Sequence, residues 1–88
     1  MVNPYKDTKT KEGFIIRTFD SNVDKKDLVW HRDYDNRTVT ILEAGHGWYF
    51  QEDNKAPILL RNGDTVNINR MTYHRLKKGE NNLIILIK

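Results

Sequence analysis

The chain has 88 residues, no cysteine and a formal net charge of +3 at pH 7. This length predicts one domain with a single modest core. The lack of cysteine excludes disulfides and thiolate metal sites, so a metal would need nitrogen and oxygen ligands. It is also consistent with the cytoplasmic location that we expect. The longest apolar run, 83–87, is too short to cross a bilayer, and no apolar signal segment follows the initial methionine, so we expect no membrane association.

Short apolar runs separated by polar turns follow a polar beginning. Residues 1–12 are lysine-rich and without periodicity, which predicts a flexible N-terminal arm ahead of one domain at 13–88. The predicted strands are 14–19, 28–32, 37–43, 48–51, 56–61, 65–69, 73–76 and 83–87. This pattern, with no convincing helical period, is typical of an all-β sandwich or barrel of about seven or eight antiparallel strands.

Three residues form the candidate metal site. His31 and Asp33 are two positions apart, and in a strand this spacing places both side chains on one face. His74, from a distant part of the chain, is the candidate third ligand. Two imidazoles and one carboxylate leave open coordination positions and suit a divalent metal such as Fe, Zn, Mn or Ni. Two alternatives stay open: His31 is an ordinary strand histidine, or Asp33 begins the polar turn that residues 35–36 complete.

Arg37 is the first candidate ligand-binding residue. If the apolar positions of strand 37–43 face the core, a period of two places Arg37 on the same inner face. There its guanidinium would hold the carboxylate or phosphate of a small anionic ligand. Alternatively, it would pair with Asp33 and withdraw that carboxylate from a metal.

The aromatic segment 48–51 supplies two further candidates for ligand binding. Alternation places Trp48 and Phe50 on one face, where we expect them in the core, and Tyr49 and Gln51 on the opposite face. We expect this second face to line the pocket, so that Tyr49 and Gln51 contact the ligand.

One glycine-to-histidine spacing resembles a motif of the cupin superfamily, the small jelly-roll barrels. That motif is a Gly, five residues, a Pro, any residue, a Gly, two residues and a metal-binding His. Gly63 and His74 keep the outer spacing, while Asn69 and Met71 stand at the Pro and at the second Gly. The turn chemistry therefore departs from the family pattern, although both ends of the motif match.

The other family motif is His-x-His, three or four residues, Glu, and a Gly that closes the strand. His31-Arg32-Asp33 stands at the His-x-His, Arg37 or Thr38 at the Glu, and Gly45 at the Gly. An arginine at the acidic position would repel a nearby divalent cation. This departure is the more serious one for a metal site.

The resemblance covers about residues 28–87 and implies a small cupin-like jelly-roll barrel that forms a homodimer through edge strands. Cupins include isomerases, dioxygenases, decarboxylases, lyases and plain binding proteins, so the family implies no single reaction. The chain is also similar to very short cupin-like proteins of phages and marine microbes, whose role is unassigned.

The leading hypothesis is a small cupin-type barrel that binds a small anionic molecule, with or without a metal. One alternative is a non-catalytic structural or interaction barrel that has lost the metal site, which Arg37 favours. Another is a nucleic-acid-binding barrel with residues 48–50 as its stacking platform and the basic stretch 70–78 as its rim, although dispersed acidic residues make nucleic acid the weaker alternative. No Ser or Cys nucleophile with a base at a recognisable spacing supports covalent catalysis, and whether the domain is an enzyme stays open.

Overall fold

Eight antiparallel strands in two sheets build the fold, which the computed structural model describes for residues 4–88. In chain order the strands are β1 (Tyr5–Lys9), β2 (Ile15–Phe19), β3 (Arg37–Glu43), β4 (Tyr49–Glu52), β5 (Ile58–Leu59), β6 (Thr65–Ile68), β7 (His74–Lys77) and β8 (Leu83–Ile87). The larger sheet has the order β1-β2-β8-β3-β6 and the smaller one the order β5-β4-β7. The all-β class and the strand number that the sequence predicts are confirmed.

Strand β8 lies at the centre of the larger sheet, between β2 and β3. Its side chains Leu83, Ile85 and Ile87 point into the interior, where each is at most 7% exposed. Strand β3 adds Val39 and Ile41 to the same interior by alternation. Both edges of β8 are hydrogen-bonded to strands of the same chain. This apolar run is therefore a central strand of the sheet and does not pair across an interface between chains.

The core fills the space between the two sheets. Trp48 and Phe50 are 0% and 4% exposed, which confirms their predicted place in the core. The indole Nε1 of Trp48 donates a hydrogen bond of 2.6 Å to the carbonyl oxygen of Asn81, so burial leaves its one polar atom satisfied. Full burial of such side chains stabilises the fold by roughly 1.5–3 kcal/mol each. The remaining buried apolar residues are Phe19, Val23, Ala44, Leu60 and Ile68.

The arm predicted for residues 1–12 is in part a strand, because all five residues of β1 pair with β2. Arg17 fixes this pairing: its Nε and Nη2 donate to the two carboxylate oxygens of Asp7 at 2.8 and 2.9 Å, and its guanidinium lies 3.7 Å from the centre of the Tyr5 ring. The charged sequence of β1 is typical of an edge strand, which from sequence alone looks like a polar arm. Residues 1–3 lie outside the described residues, and a boundary between arm and domain stays a prediction.

The strand predicted for 28–32 is wrong, since in the described chain only His31 makes a bridge there, to His74. Just before it, Lys25–Asp27 form a short 3-10 helix, and the side chain of Asp24 accepts a backbone hydrogen bond of 3.1 Å at its start. The segment meets the edge strand β7 at this one bridge and forms no ladder with it, and its apolar residues Leu28 and Val29 line the cavity. The described part of the chain holds no helix with the length and hydrophobicity of a bilayer span.

Candidate metal and ligand site

A single bridge between distant parts of the chain creates the site. The backbone amide of His31 donates to the carbonyl of His74 at 3.0 Å, and the amide of His74 donates back at 2.8 Å. The two imidazole rings consequently lie edge to face with their centres 4.3 Å apart. His74 is 4% exposed at the start of β7, whereas His31 is exposed. The two histidines singled out in the sequence are thus brought together, one inside the barrel and one at its mouth.

Asp33 completes the group, and its half-buried carboxylate contacts two partners. Oδ2 lies 3.4 Å from Nε2 of His74, and Oδ1 lies 3.7 Å from Nη2 of Arg37. One ligand atom from each of His31, Asp33 and His74 lies within 4.8 Å of the others. The geometry is therefore compatible with both hypotheses for Asp33. Its carboxylate lies next to the two histidines, as a metal ligand would, and it also faces Arg37, as an ion-pair partner would. The third hypothesis, a turn-forming Asp33, has no contact to support it: among the described residues the Asp33 side chain contacts only Arg37 and His74, and Asn36 accepts a hydrogen bond of 2.8 Å from the amide of distant Arg70.

Each histidine uses one ring nitrogen on the backbone and leaves the other available. Nδ1 of His74 lies 2.9 Å from the carbonyl oxygen of Thr72, and Nδ1 of His31 lies 3.1 Å from that of Val29. A carbonyl oxygen only accepts, so in both rings Nδ1 carries the proton and the lone pair of the neutral imidazole is on Nε2. This hydrogen bond to the second nitrogen is the arrangement that orients metal-binding histidines.

The donor chemistry of the group fits a cation. Burial lowers the pKa of His74 below its ordinary value of 6.5 and outweighs the opposing effects of the hydrogen bond to Thr72 and of the Asp33 carboxylate, while the nearby His31 lowers it further. With His74 neutral, the lone pair on its Nε2 and the carboxylate of Asp33 face each other across 3.4 Å. A positive ion between these two acceptors removes their repulsion. Ligand atoms bound at about 2.1 Å from one ion lie roughly 3 Å apart, so the three side chains need only a modest contraction, for which exposed His31 has room.

The site opens into a cavity of about 350 Å³ between the two sheets. Most of its wall is apolar, from inward-facing residues of both sheets. The charged and histidine side chains on its wall are Arg17, Asp27, His31, Asp33, Arg37 and His74. A concave apolar space with a few convergent polar groups is the usual form of a small-molecule site.

Solved structures with the same architecture decide the fold family. A cupin-like protein from Thermotoga maritima superposes with a TM-score of 0.66 at 18% identity, over 94% of this chain and 63% of that one. This chain has the cupin fold. A DMSP lyase structure (RdDddP and RnDddQII) matches with a TM-score of 0.73 at 12% identity, over 94% of this chain and 44% of that one. Fe(II)-HppE with its alternative substrate (S)-1-HPP matches with a TM-score of 0.66 at 16% identity, over 94% and 47%.

The likeness of this chain to these solved structures lies in the fold. It spans less than two thirds of each of these three neighbours. Its sequence matches no protein-family model, and a search of curated proteins finds no match. The neighbours therefore establish the barrel, and the chemistry has to be argued from the side chains of this chain.

Two departures from the cupin motifs now have a structural meaning. Met71 stands where the motif has its second Gly, and its φ of 62° is the left-handed conformation that a glycine adopts without strain. The amide of Met71 donates to the carbonyl oxygen of Asp33 at 2.6 Å, so this strained turn holds the backbone of a site residue. Arg37, at the Glu position, points at the carboxylate of Asp33.

Ligand contact by Tyr49 and Gln51 stays a prediction. Among the described residues of β4 it is Phe50 that lines the cavity, whereas Tyr49 lies on the outer face and Gln51 accepts a hydrogen bond of 3.0 Å from Nε of Arg75. In a barrel the core and the pocket share the inner face, so the face opposite Trp48 looks outward.

Sequence reasoning missed Arg17 as a residue of the cavity wall. Phe19 is buried, and period two therefore places Arg17 on the same inner face of β2. The same alternation that identified Arg37 on β3 would have found it. Its two hydrogen bonds to Asp7 keep its charge paired inside the barrel.

Proposed function

We propose that this cupin-fold protein binds a small anionic molecule in its barrel, next to a divalent metal held by His31, Asp33 and His74. The observation that carries the proposal is the convergence of one ligand atom from each of His31, Asp33 and His74 to within 4.8 Å of one another. The carboxylate of Asp33 lies 3.4 Å from Nε2 of buried His74, so an ion held by one of these side chains is within reach of the other. Both histidines have the tautomer that a metal ligand needs, because each Nδ1 is bonded to a carbonyl oxygen.

Two nitrogens and one carboxylate oxygen are a donor set for Fe(II), Zn, Mn or Ni. A neighbour with the same fold, HppE, is an Fe(II) protein. When bound, the metal would supply a Lewis acid with open coordination positions facing the cavity. His74 and Asp33 would coordinate the metal from inside the barrel, and exposed His31 would coordinate it from the open end of the barrel. This arrangement suits a binding protein and an enzyme equally.

Arg37 is the residue that we propose to hold the anion. It lines the cavity with its side chain 32% exposed. Among the contacts within residues 4–88, its nearest acidic oxygen is 3.7 Å away, too far for a hydrogen bond. Its planar fork of donors is thus available for a carboxylate or phosphate, which it would bind through two parallel hydrogen bonds. An anion there would also reduce the repulsion between the guanidinium and the metal.

The two alternative functions have less support. A nucleic-acid platform at 48–50 is contradicted by the burial of Trp48 and Phe50 in the core. A barrel without a metal site would gain support if Arg37 held Asp33 permanently, but at 3.7 Å this contact is loose.

Separately, we propose a homodimer, as expected from the cupin fold. Light scattering that finds a monomer at high protein concentration would contradict it.

Metal titration of protein purified without a histidine tag tests the proposal. After removal of bound metal with a chelator, isothermal titration calorimetry with Mn²⁺, Zn²⁺ and anaerobic Fe²⁺ should give about one site per chain for at least one metal. The Nε2 resonances of His31 and His74 in ¹⁵N NMR should shift or broaden on binding, while that of exposed His46 should not. Less than about 0.1 metal per chain after reconstitution would overturn the metal part of the proposal.

A further inference from the structure

We propose that the anion is an amphipathic monocarboxylate of about ten carbons, with its acid group on Arg37 and its aliphatic body in the cavity. The inference rests on the proposed function and names the class of molecule that this site takes. Three independent features of the cavity lead to it: the chemistry of its wall, its volume, and the distribution of its charges.

The wall of the cavity is aliphatic where the body of a ligand would lie. Side chains from both sheets form it, and none of them carries a polar atom. They are Val39, Val66, Ile68, Leu76, Ile85 and Ile87. A sugar or nucleotide body would bury hydroxyl or amide groups against this wall without hydrogen-bond partners, at a cost of roughly 1–3 kcal/mol each. An aliphatic body gains free energy from the same contacts.

The volume of the cavity sets the size of the ligand. At about 350 Å³ it is more than twice the roughly 150 Å³ of an engineered apolar cavity that is known to bind benzene. Scaled from the six carbons of benzene in roughly 150 Å³, the cavity accommodates roughly 12–14 non-hydrogen atoms. A ten-carbon carboxylate has this size.

The charged side chains on the cavity wall indicate how many acid groups the ligand has and where they lie. Arg17 and Arg37 are the two cationic side chains among the described residues of the wall. Arg17 already makes two hydrogen bonds to Asp7, at 2.8 and 2.9 Å. Arg37 makes only the 3.7 Å contact to Asp33. One end of the cavity thus has a guanidinium without a hydrogen-bonded acid and the rest of the described wall has none, which matches one acid group at that end and not a second acid at the far end of the ligand.

A series of ligands of equal charge and increasing length tests the inference on the wild-type protein. Calorimetry with straight-chain carboxylates from four to fourteen carbons should show affinity rising about fourfold per methylene and levelling off near ten carbons, where the cavity is full. Decanoate should perturb the methyl NMR signals of Ile85 and Ile87. In the metal-free protein, succinate and other short dicarboxylates should bind at least a hundredfold more weakly than decanoate, because they lack the aliphatic body.

Two arginine variants separate the head group from the body. Arg37→Gln should weaken decanoate binding at least tenfold and leave decanol binding unchanged, because the alcohol has no charge to lose. Arg61→Gln, at an exposed arginine that does not line the cavity, is the matched control and should bind decanoate like the wild type. Val66→Phe, which fills the cavity from a half-buried position, should shorten the optimum chain by several carbons.

Different outcomes overturn different parts of the argument. If butyrate binds as tightly as decanoate and Arg37→Gln weakens both, the aliphatic body is wrong, while anion binding at Arg37 stands. If decanol binds as tightly as decanoate and Arg37→Gln changes neither, the anion site and the inference built on it both fail. Decanoate that perturbs only surface methyl groups, and not Ile85 or Ile87, would show that the cavity is not the binding site.

Discussion

His31 and His74, far apart in the sequence, exchange two backbone hydrogen bonds of 3.0 and 2.8 Å and present their imidazoles to the same point. This is an isolated bridge and not part of a longer ladder. The site therefore depends on the complete barrel, since the two histidines meet only when β7 and the segment before β3 are in place. A ligand or metal that binds here binds the folded state alone and must stabilise it.

Metal binding should accordingly raise the stability of the fold. At a free metal concentration one hundred times its Kd, the free energy of unfolding should rise by about 2.7 kcal/mol. His74→Ala should abolish this gain, whereas His46→Ala, at an exposed histidine in a glycine turn, should retain it. Urea denaturation with and without metal measures the difference. An equal gain in wild type and His74→Ala would mean that the metal binds elsewhere.

Acid should destabilise the metal-free protein through His74. Because burial lowers its pKa, the unfolded chain takes up a proton at its ordinary value of 6.5 while the folded chain still holds a neutral ring. The contribution is complete above pH 6.5 and is lost as the pH falls from there through the lower pKa of the folded state. Urea midpoints measured across this range should decrease with falling pH. A proton NMR titration of the His74 ring with a midpoint above 6.5 would contradict the prediction.

Removing the charge of Arg37 should tighten metal binding while it weakens anion binding. The guanidinium repels a divalent ion and attracts the carboxylate of Asp33 from 3.7 Å. Arg37→Gln should therefore increase affinity for Mn²⁺ or Zn²⁺ roughly three- to tenfold at low salt, and less at high salt because the side chain is partly exposed. Calorimetry on this variant and on Arg61→Gln checks the effect. Weaker metal binding in Arg37→Gln would instead make Arg37 the residue that positions Asp33.

The turn at Met71 should tolerate, and gain from, a glycine. A left-handed conformation costs an L-residue about 1–2 kcal/mol, whereas the greater freedom of glycine in the unfolded chain costs roughly 0.5–1 kcal/mol. Met71 has φ of 62° and a side chain 38% exposed, so Met71→Gly should stabilise the fold by up to about 1 kcal/mol and raise Tm by a few degrees. Met71→Ala keeps the strain and should not stabilise. Calorimetric melting of both variants decides between them.

The sequence predicted much of the architecture because alternation and turn chemistry are local properties. Strands β3 and β8 have the bounds that their patterns predict, and Gly63, in the Asn-Gly turn before β6, has the φ of 87° that such a turn requires. Alternation also placed Arg37 on the inner face. A pattern of period two needs no knowledge of which strands are neighbours.

The pairing of segments at the sheet edges and the identity of the residues around the cavity were not predictable in the same way. Residues 28–32 have the composition of a strand but meet the neighbouring β7 at a single bridge, while charged β1 is a strand because all five of its residues pair with β2. Alternation separates Tyr49 and Gln51 from Trp48 and Phe50 without telling which face encloses the cavity, and in the structure Phe50 lines it. Each of these outcomes depends on pairing partners that are distant in the sequence.

By itself the sequence determined that two histidines and an aspartate were available at spacings resembling cupin motifs, and that an arginine shared their side of the barrel. Only the tertiary structure decided that His31, Asp33 and His74 converge within 4.8 Å, with each Nδ1 turned to a carbonyl. The reason is physical: side-chain direction along one strand is fixed by the local backbone. The distance between two segments is fixed by hydrogen bonds that form only once the chain has folded.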